Sequence, residues 1–193
     1  RAEVLLKGSA VENLSLILRN GDIIKELRDE VDAYEYDLTI IGGSAKRSMS
    51  HDMIQYIDSS IFVVNNFNKT INYKILLAVD DSPGTKKAVK YGVRVAQAFG
   101  INVQIITVNE DDNSNKANKK SSENASKMMR RCGVEAETKF EIGKPVEKIV
   151  ELAGEDHIII MGASTQSPIA KFFIGSKPLN VMQNSNCPIL IVK

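Results

Sequence analysis

Tryptophan is absent from the 193 residues, and cysteine and histidine occur only twice each. Two cysteines cannot build a disulfide scaffold in a chain of this length. Cys187 precedes a proline and a strongly apolar run, so it reads as a buried thiol rather than half of a bridge. Reducing conditions and a cytoplasmic location fit that usage. His51 and His157 stand far apart in the chain, and no metal-ligand spacing occurs. His157 opens an apolar strand and is expected to be a surface or edge residue rather than a base. No apolar run approaches the roughly 20 residues that a membrane span needs. The opening RAEVLLKG has an apolar stretch only three residues long, which excludes a secretory signal; a start at Arg1 rather than Met raises the expectation of an upstream region. Charge of one sign is scarce too. The formal net charge is +1, split as −3 over residues 1–72 and +4 over 73–193, too little to draw nucleic acid or a membrane.

Two nucleotide signatures are also missing: the G-x-x-x-x-G-K-[ST] loop with its lysine, and G-x-G-x-x-G. A kinase or ATPase needs a nucleophile and magnesium ligands grouped around the phosphates, and no such set assembles from these residues. A binding protein is therefore expected ahead of an enzyme.

What is present is an alternation of short apolar runs and amphipathic stretches. Residues 73–80 form a buried-type strand ending in acid. Ser82-Pro83-Gly84 then opens a helix, serine as the cap and proline at the first position. That helix reaches Phe99, with Ala88, Gly92, Val95, Ala96 and Phe99 on one face and Gly100 to end it. A second strand follows at 103–108. Residues 109–122 hold no large apolar side chain and are expected to form a mobile loop. A helix over 123–131, a strand over 134–141 and a helix with Val146, Ile149, Val150 and Ala153 inward come next. A strand over 157–161, a polar glycine-bearing stretch, a short helix and a last strand at 188–192 complete the series. Such an order predicts an α/β fold with an open parallel sheet and a ligand beyond the strand ends.

The later part of this pattern also occurs earlier. ILRNGDIIKEL, LTIIGGS and SSIFVV before residue 65 parallel FEIGKPVEKIV, IIIMGAS and CPILIV near the end. Residues 14–18, 38–42 and 60–64 are thus expected as strands, with Ile24, Leu27 and Val31 facing inward from a helix between the first two. The first copy lacks an opening strand–helix–strand, so residues 1–70 read as a partial, degenerate domain and 71–193 as a complete one. It is expected to lean on the complete domain or on another chain.

Candidate site residues lie at the strand ends. Gly162 and Gly175 lack a Cβ and so let backbone amides approach an anion, while Ser164, Thr165 and Ser176 offer hydroxyls. The plainer reading of the glycines is a tight turn and a helix start. Asp80 either accepts from ribose hydroxyls or caps the helix at Pro83, and Asp81 faces water. Val108 either borders a base or belongs to the core.

By these residues the chain resembles the universal stress protein family. KILLAVDDSP, IITVNE, EIGKPVEKIVELA and IIIMGAS followed by IGSKPLNV and CPILIVK are similar to its successive elements, covering residues 73–193. The resemblance implies a flavodoxin-like sheet of strand order 3-2-1-4-5 and dimer-like pairing through the last strand. It implies homodimers, or pairing of the two copies within one chain. It also implies a role in stress response or nucleotide-dependent signalling. ATP-binding members carry Gly-x-x-Gly, nine residues, then Gly-Ser. Here Gly162 matches the first position, Thr165 replaces the second glycine, and Gly175-Ser176 close the motif. By the same correspondence Asp80 meets ribose, Ala78 and Val108 border adenine, and Met161 lines the pocket. Lys177 adds a positive charge beside Ser176. The implied ligand is ATP or another adenine nucleotide. The alternative is no cofactor at all, the fold then serving as a platform for interaction and dimerisation.

Overall fold

Alternating burial along the strand Lys74–Ala78 sets the architecture: Ile75 and Leu77 point into one layer, Leu76 into the other, and none of the three is accessible. A strand apolar on both faces needs a helical layer on each side. The computed structural model describes residues 15–42, 55–65, 71–111, 116–163 and 176–193. Within them the elements run α1 (Ile23–Tyr34), β1 (Leu38–Gly42), β2 (Ser60–Val64), β3 (Lys74–Ala78), α2 (Pro83–Phe99), β4 (Val103–Asn109), α3 (Lys116–Arg131), β5 (Ala136–Ile142), α4 (Pro145–Ala153), β6 (His157–Gly162), α5 (Ser176–Asn184) and β7 (Ile189–Val192).

The seven strands form one sheet in the order β1-β2-β7-β6-β3-β4-β5. Every neighbouring pair is parallel except β2 and β7, which run antiparallel with Phe62 opposite Leu190. The sheet is therefore mixed and not wholly parallel. α2 and α3 cover one face over Ile75, Leu77, Ile105 and Ile160; α1, α4 and α5 cover the other over Leu76, Ile159, Ile189 and Ile191.

Several expectations need correcting. Residues 15–18 form no strand, and Leu16 and Leu18 are among the most exposed apolar side chains. Among the described residues no neighbouring strand completes their hydrogen bonds, and an apolar run alone cannot hold an extended segment in place. Helix α3 begins at Lys116 and so includes the second half of the tract expected to be a loop. Its inward face is Asn118, Ser122, Ala125 and Met129, spaced by three and four but polar at the start, which hides the period from a hydrophobic reading. Phe99 is exposed and Val93 takes its place in the core of α2. His157 is buried, its Nδ1 lying 2.8 Å from an Asp156 carboxylate oxygen and 3.0 Å from the Ala153 carbonyl. It sits on a central strand roofed by the end of α4, so opening a strand did not make it a surface residue. Cys132 and Cys187 are free thiols, and burial pushes that of Cys187 up to about 11.

The join between β2 and β7 is reinforced at its end. The Lys193 amide donates to Ser60 Oγ at 3.3 Å, and its ammonium donates to the Ile57 carbonyl. Burial lowers the Lys193 pKa to about 8, against an opposing pull from Asp58. The unfolded chain, titrating near 10.4, then holds more protons than the folded chain between about pH 8 and 10.4, so stability rises with pH through that window. Urea midpoints measured from pH 7 to 10 are expected to climb in the parent relative to Lys193→Met. A constant difference would show that the ammonium is hydrated in the folded state.

Candidate functional site

At the carboxyl ends of the parallel strands, the ladder around β3 stops early. Its pairing with β4 ends at Ala78 opposite Ile106, and with β6 at Leu77 opposite Ile160. β4 continues beside β5 as far as Asn109 opposite Ile142, and β6 beside β7 as far as Gly162 opposite Val192. A cavity of about 560 Å³ opens where the strands part. One side is apolar: Ala78, Ile106 and Val108 from the strands, Met161 from β6, and Ile149 and Val181 from α4 and α5. The other is polar, with Asp80, Ser82 and Thr85 from the β3–α2 turn, Asn118 from α3, and Ser176 and Lys177 from the start of α5.

Asp80 builds the turn. Its Oδ1 accepts from the Ser82 amide (3.0 Å), the Ser82 hydroxyl (2.5 Å) and the Thr85 hydroxyl (2.8 Å), while the Asp80 amide donates to Thr85 Oγ1 at 3.2 Å. Hydrogen bonds to an ionised oxygen are among the strong ones, so this ring locks the chain between β3 and α2. Ser82 holds the cap position by backbone geometry alone, because its hydroxyl is turned to Asp80 and not to the helix amides. Among the described residues no donor reaches Asp80 Oδ2, and Asp80 is part of the cavity wall. Asp81 is exposed, as its position in the turn implied, and its amide is held by Asn118 Oδ1 at 2.9 Å.

Of the residues singled out in the sequence, Ala78, Asp80, Val108, Met161, Gly162, Ser176 and Lys177 all line this one cavity. Ser164, Thr165 and Gly175 lie outside the described residues, as does His51. Three polar lining residues, Ser82, Thr85 and Asn118, were not assigned to the site by the sequence reading. Ser82 and Thr85 follow Asp80 at spacings of two and five, a local signal that was legible; Asn118 sits in a polar tract with nothing to mark it. Among the described residues no group of three or more His, Cys, Asp or Glu is placed to hold a metal ion. No helix among them is long and apolar enough to cross a membrane.

Gly162 has a packing role. A Cβ built on it falls 2.4 Å from the Gly84 carbonyl carbon, and one built on Gly84 falls 2.8 Å from the Ala163 carbonyl oxygen. The room left by the missing side chain is thus taken by the first turn of α2, so packing by itself requires glycine at this position.

A cleft beyond the strand ends of a doubly wound sheet is where α/β proteins of this class hold their ligands. The model of the Universal stress protein family matches residues 72–193, and the chain belongs to that family. Universal stress protein MJ0577 of Methanocaldococcus jannaschii is 32% identical over 124 residues, spanning 62% of this chain and 75% of the relative. The crystal structure of a universal stress protein from Archaeoglobus fulgidus superposes with a TM-score of 0.72 at 18% identity, covering 100% of this chain and 74% of that one. A universal stress protein from Archaeoglobus fulgidus in complex with dAMP matches 64% of this chain and 99% of its own, with a TM-score of 0.50 and 22% identity.

The backbone contact predicts a contrast between two glycines. Gly162→Ala is expected to destabilise the fold by about 1–3 kcal/mol or more, since rigid backbone must move. Gly92→Ala is expected to be near neutral: its Cβ would meet the mobile end of Met129 at 3.0 Å, and alanine suits a helix interior better. Equal losses in urea unfolding would mean that the Gly84–Gly162 approach is not tight.

Proposed function

We propose that the chain binds an adenine nucleotide, ATP or another, in the strand-end cavity and acts as a stress-response or regulatory protein rather than as a catalyst. The observation that carries this reading is the meeting, in one cavity, of an apolar cleft at Ala78, Val108 and Met161 with a hydrogen-bonding rim at Asp80, Ser176 and Lys177. The adenine ring lies in the cleft and Asp80 Oδ2 accepts from a ribose hydroxyl. The phosphates turn toward Ser176, Lys177 and the backbone amides at the start of α5, where the helix dipole favours negative charge. Gly162, Ser164, Thr165 and Gly175 belong to the phosphate-side loop in this reading. The volume falls within the roughly 300–1,000 Å³ usual for small-molecule sites. The dAMP complex of the Archaeoglobus fulgidus relative supports the ligand class by analogy of fold.

The same reading takes residues 71–193 as a complete unit, within which β5-β4-β3-β6-β7 is the order 3-2-1-4-5, and residues 1–70 as a partial, degenerate second copy. Its support is the repetition of α1-β1 and β2 by α4-β6 and β7, and the antiparallel meeting of β2 with β7 as equivalent last strands. That join favours pairing of the copies within one chain over a homodimer through β7. The free thiols suit a cytoplasmic protein. The second reading, an interaction platform that binds no nucleotide, draws on the same join, on Thr165 where binding relatives have glycine, and on the packing role of Gly162.

Titration calorimetry with ATP and with AMP separates the two. Saturable binding below millimolar nucleotide is expected, and Val108→Trp, which fills the cleft, should weaken it at least tenfold, or about 1.4 kcal/mol. A flat trace at millimolar nucleotide for the parent chain leaves the platform reading standing.

A further inference from the structure

We infer that Asn118 is a positioning residue for the strand-end cavity, holding its acidic turn at a set distance from its apolar cleft. The identity of the ligand rests on the nucleotide reading above; the geometry does not. Asn118 lies near the start of α3 and is only 9% exposed, a depth at which a side-chain amide needs partners. Its Oδ1 accepts from the Asp81 amide at 2.9 Å. A backbone amide can only donate, so this bond identifies the oxygen and leaves Nδ2 as the donor to Asn109 Oδ1 at 3.1 Å. The Asn109 carbonyl in turn accepts from the Gly143 amide at 2.8 Å. A belt of hydrogen bonds therefore runs from the β3–α2 turn through α3 and the end of β4 to the β5–α4 turn. Each of these segments sends a residue into the cavity wall: Asp81, Asn118, Val108 and Pro145.

The belt crosses the place where the sheet divides. Ladder pairing of β3 with β4 ends at Ala78 opposite Ile106, followed by the bonds of the Val79 amide to the Ile106 carbonyl (2.9 Å) and of the Thr107 hydroxyl to the Val79 carbonyl (3.1 Å). Beyond Val79 the connection between the two strand ends passes through the Asn118 side chain, which bridges Asp81 to Asn109. A donor and an acceptor about one amide apart are both required. Alanine supplies neither. Aspartate keeps the acceptor for the Asp81 amide but turns a second acceptor toward Asn109 Oδ1 and brings negative charge beside Asp81.

The test uses the full chain with Asn118→Ala and Asn118→Asp, amide hydrogen exchange resolved by residue, urea unfolding and titration with AMP. In Asn118→Ala the Asp81 amide should exchange at least tenfold faster while amides of β6 keep their protection. In Asn118→Asp the Asp81 amide should stay protected, which also shows that position 118 tolerates change without loss of the fold. AMP affinity should fall at least tenfold in Asn118→Ala with the urea midpoint little moved. Unchanged exchange at Asp81, or faster exchange spread evenly over the β6 amides, would overturn the inference, as would parent-like AMP affinity in Asn118→Ala. If the parent chain binds neither AMP nor ATP, the nucleotide reading fails separately, and exchange at Asp81 alone decides for or against the bridge.

Discussion

Gly84 and Gly162 meet backbone to backbone, and much of the site's shape follows from how little room lies between them. α2 starts one residue before Gly84, so the contact presses the first turn of that helix onto the end of β6. The turn at residues 80–82 is then drawn over the end of β3, where the Asp80 ring of hydrogen bonds can close. With that side sealed by main chain, the free volume is displaced to where β3 and β4 separate. Close packing transmits such constraints because the interior has almost no slack.

The rim is built of small polar side chains whose first task is structural. Ser82, Thr85 and one oxygen of Asp80 satisfy one another, and Asn118 satisfies Asp81 and Asn109. A ligand of the proposed kind would therefore meet a rim already organised, with few groups to reorient on entry, which is the physical meaning of preorganisation. Contact with the apolar cleft supplies the favourable burial, and the rim supplies direction.

Strands buried on both faces were the most legible part of the sequence, because runs such as 75–79 and 158–161 admit few other fates. Helix α2 was legible through Pro83 and Gly100, the latter taking the left-handed conformation that glycine adopts without strain. The start of α3 was not, because Asn118 and Ser122 face inward and a hydrophobic reading cannot see a polar interior. Residues 15–18 misled in the opposite sense, an apolar run with no neighbouring strand among the described residues to receive it. β1 and β6 make the same point within the fold. Both are short and rich in isoleucine, yet Ile40 is 65% exposed and Ile160 is wholly buried, because β6 lies between two strands and β1 beside one. In the site, Asp80 could be named from its place at a strand end, whereas Asn118 acts through a fold that brings residue 118 to residue 81. No local pattern encodes that meeting.

The antiparallel join of β2 to β7 has a bearing on valency. The outer edge of β7 is consumed by the chain's own earlier strand, so a second chain cannot add there edge to edge. Symmetric pairing of identical subunits would bring two equal pockets into register and give each a twin through which occupancy could be communicated. Here the strand across the join is β2 of the same chain. A binding pocket without such a twin would saturate hyperbolically, with a Hill coefficient of about one and no threshold.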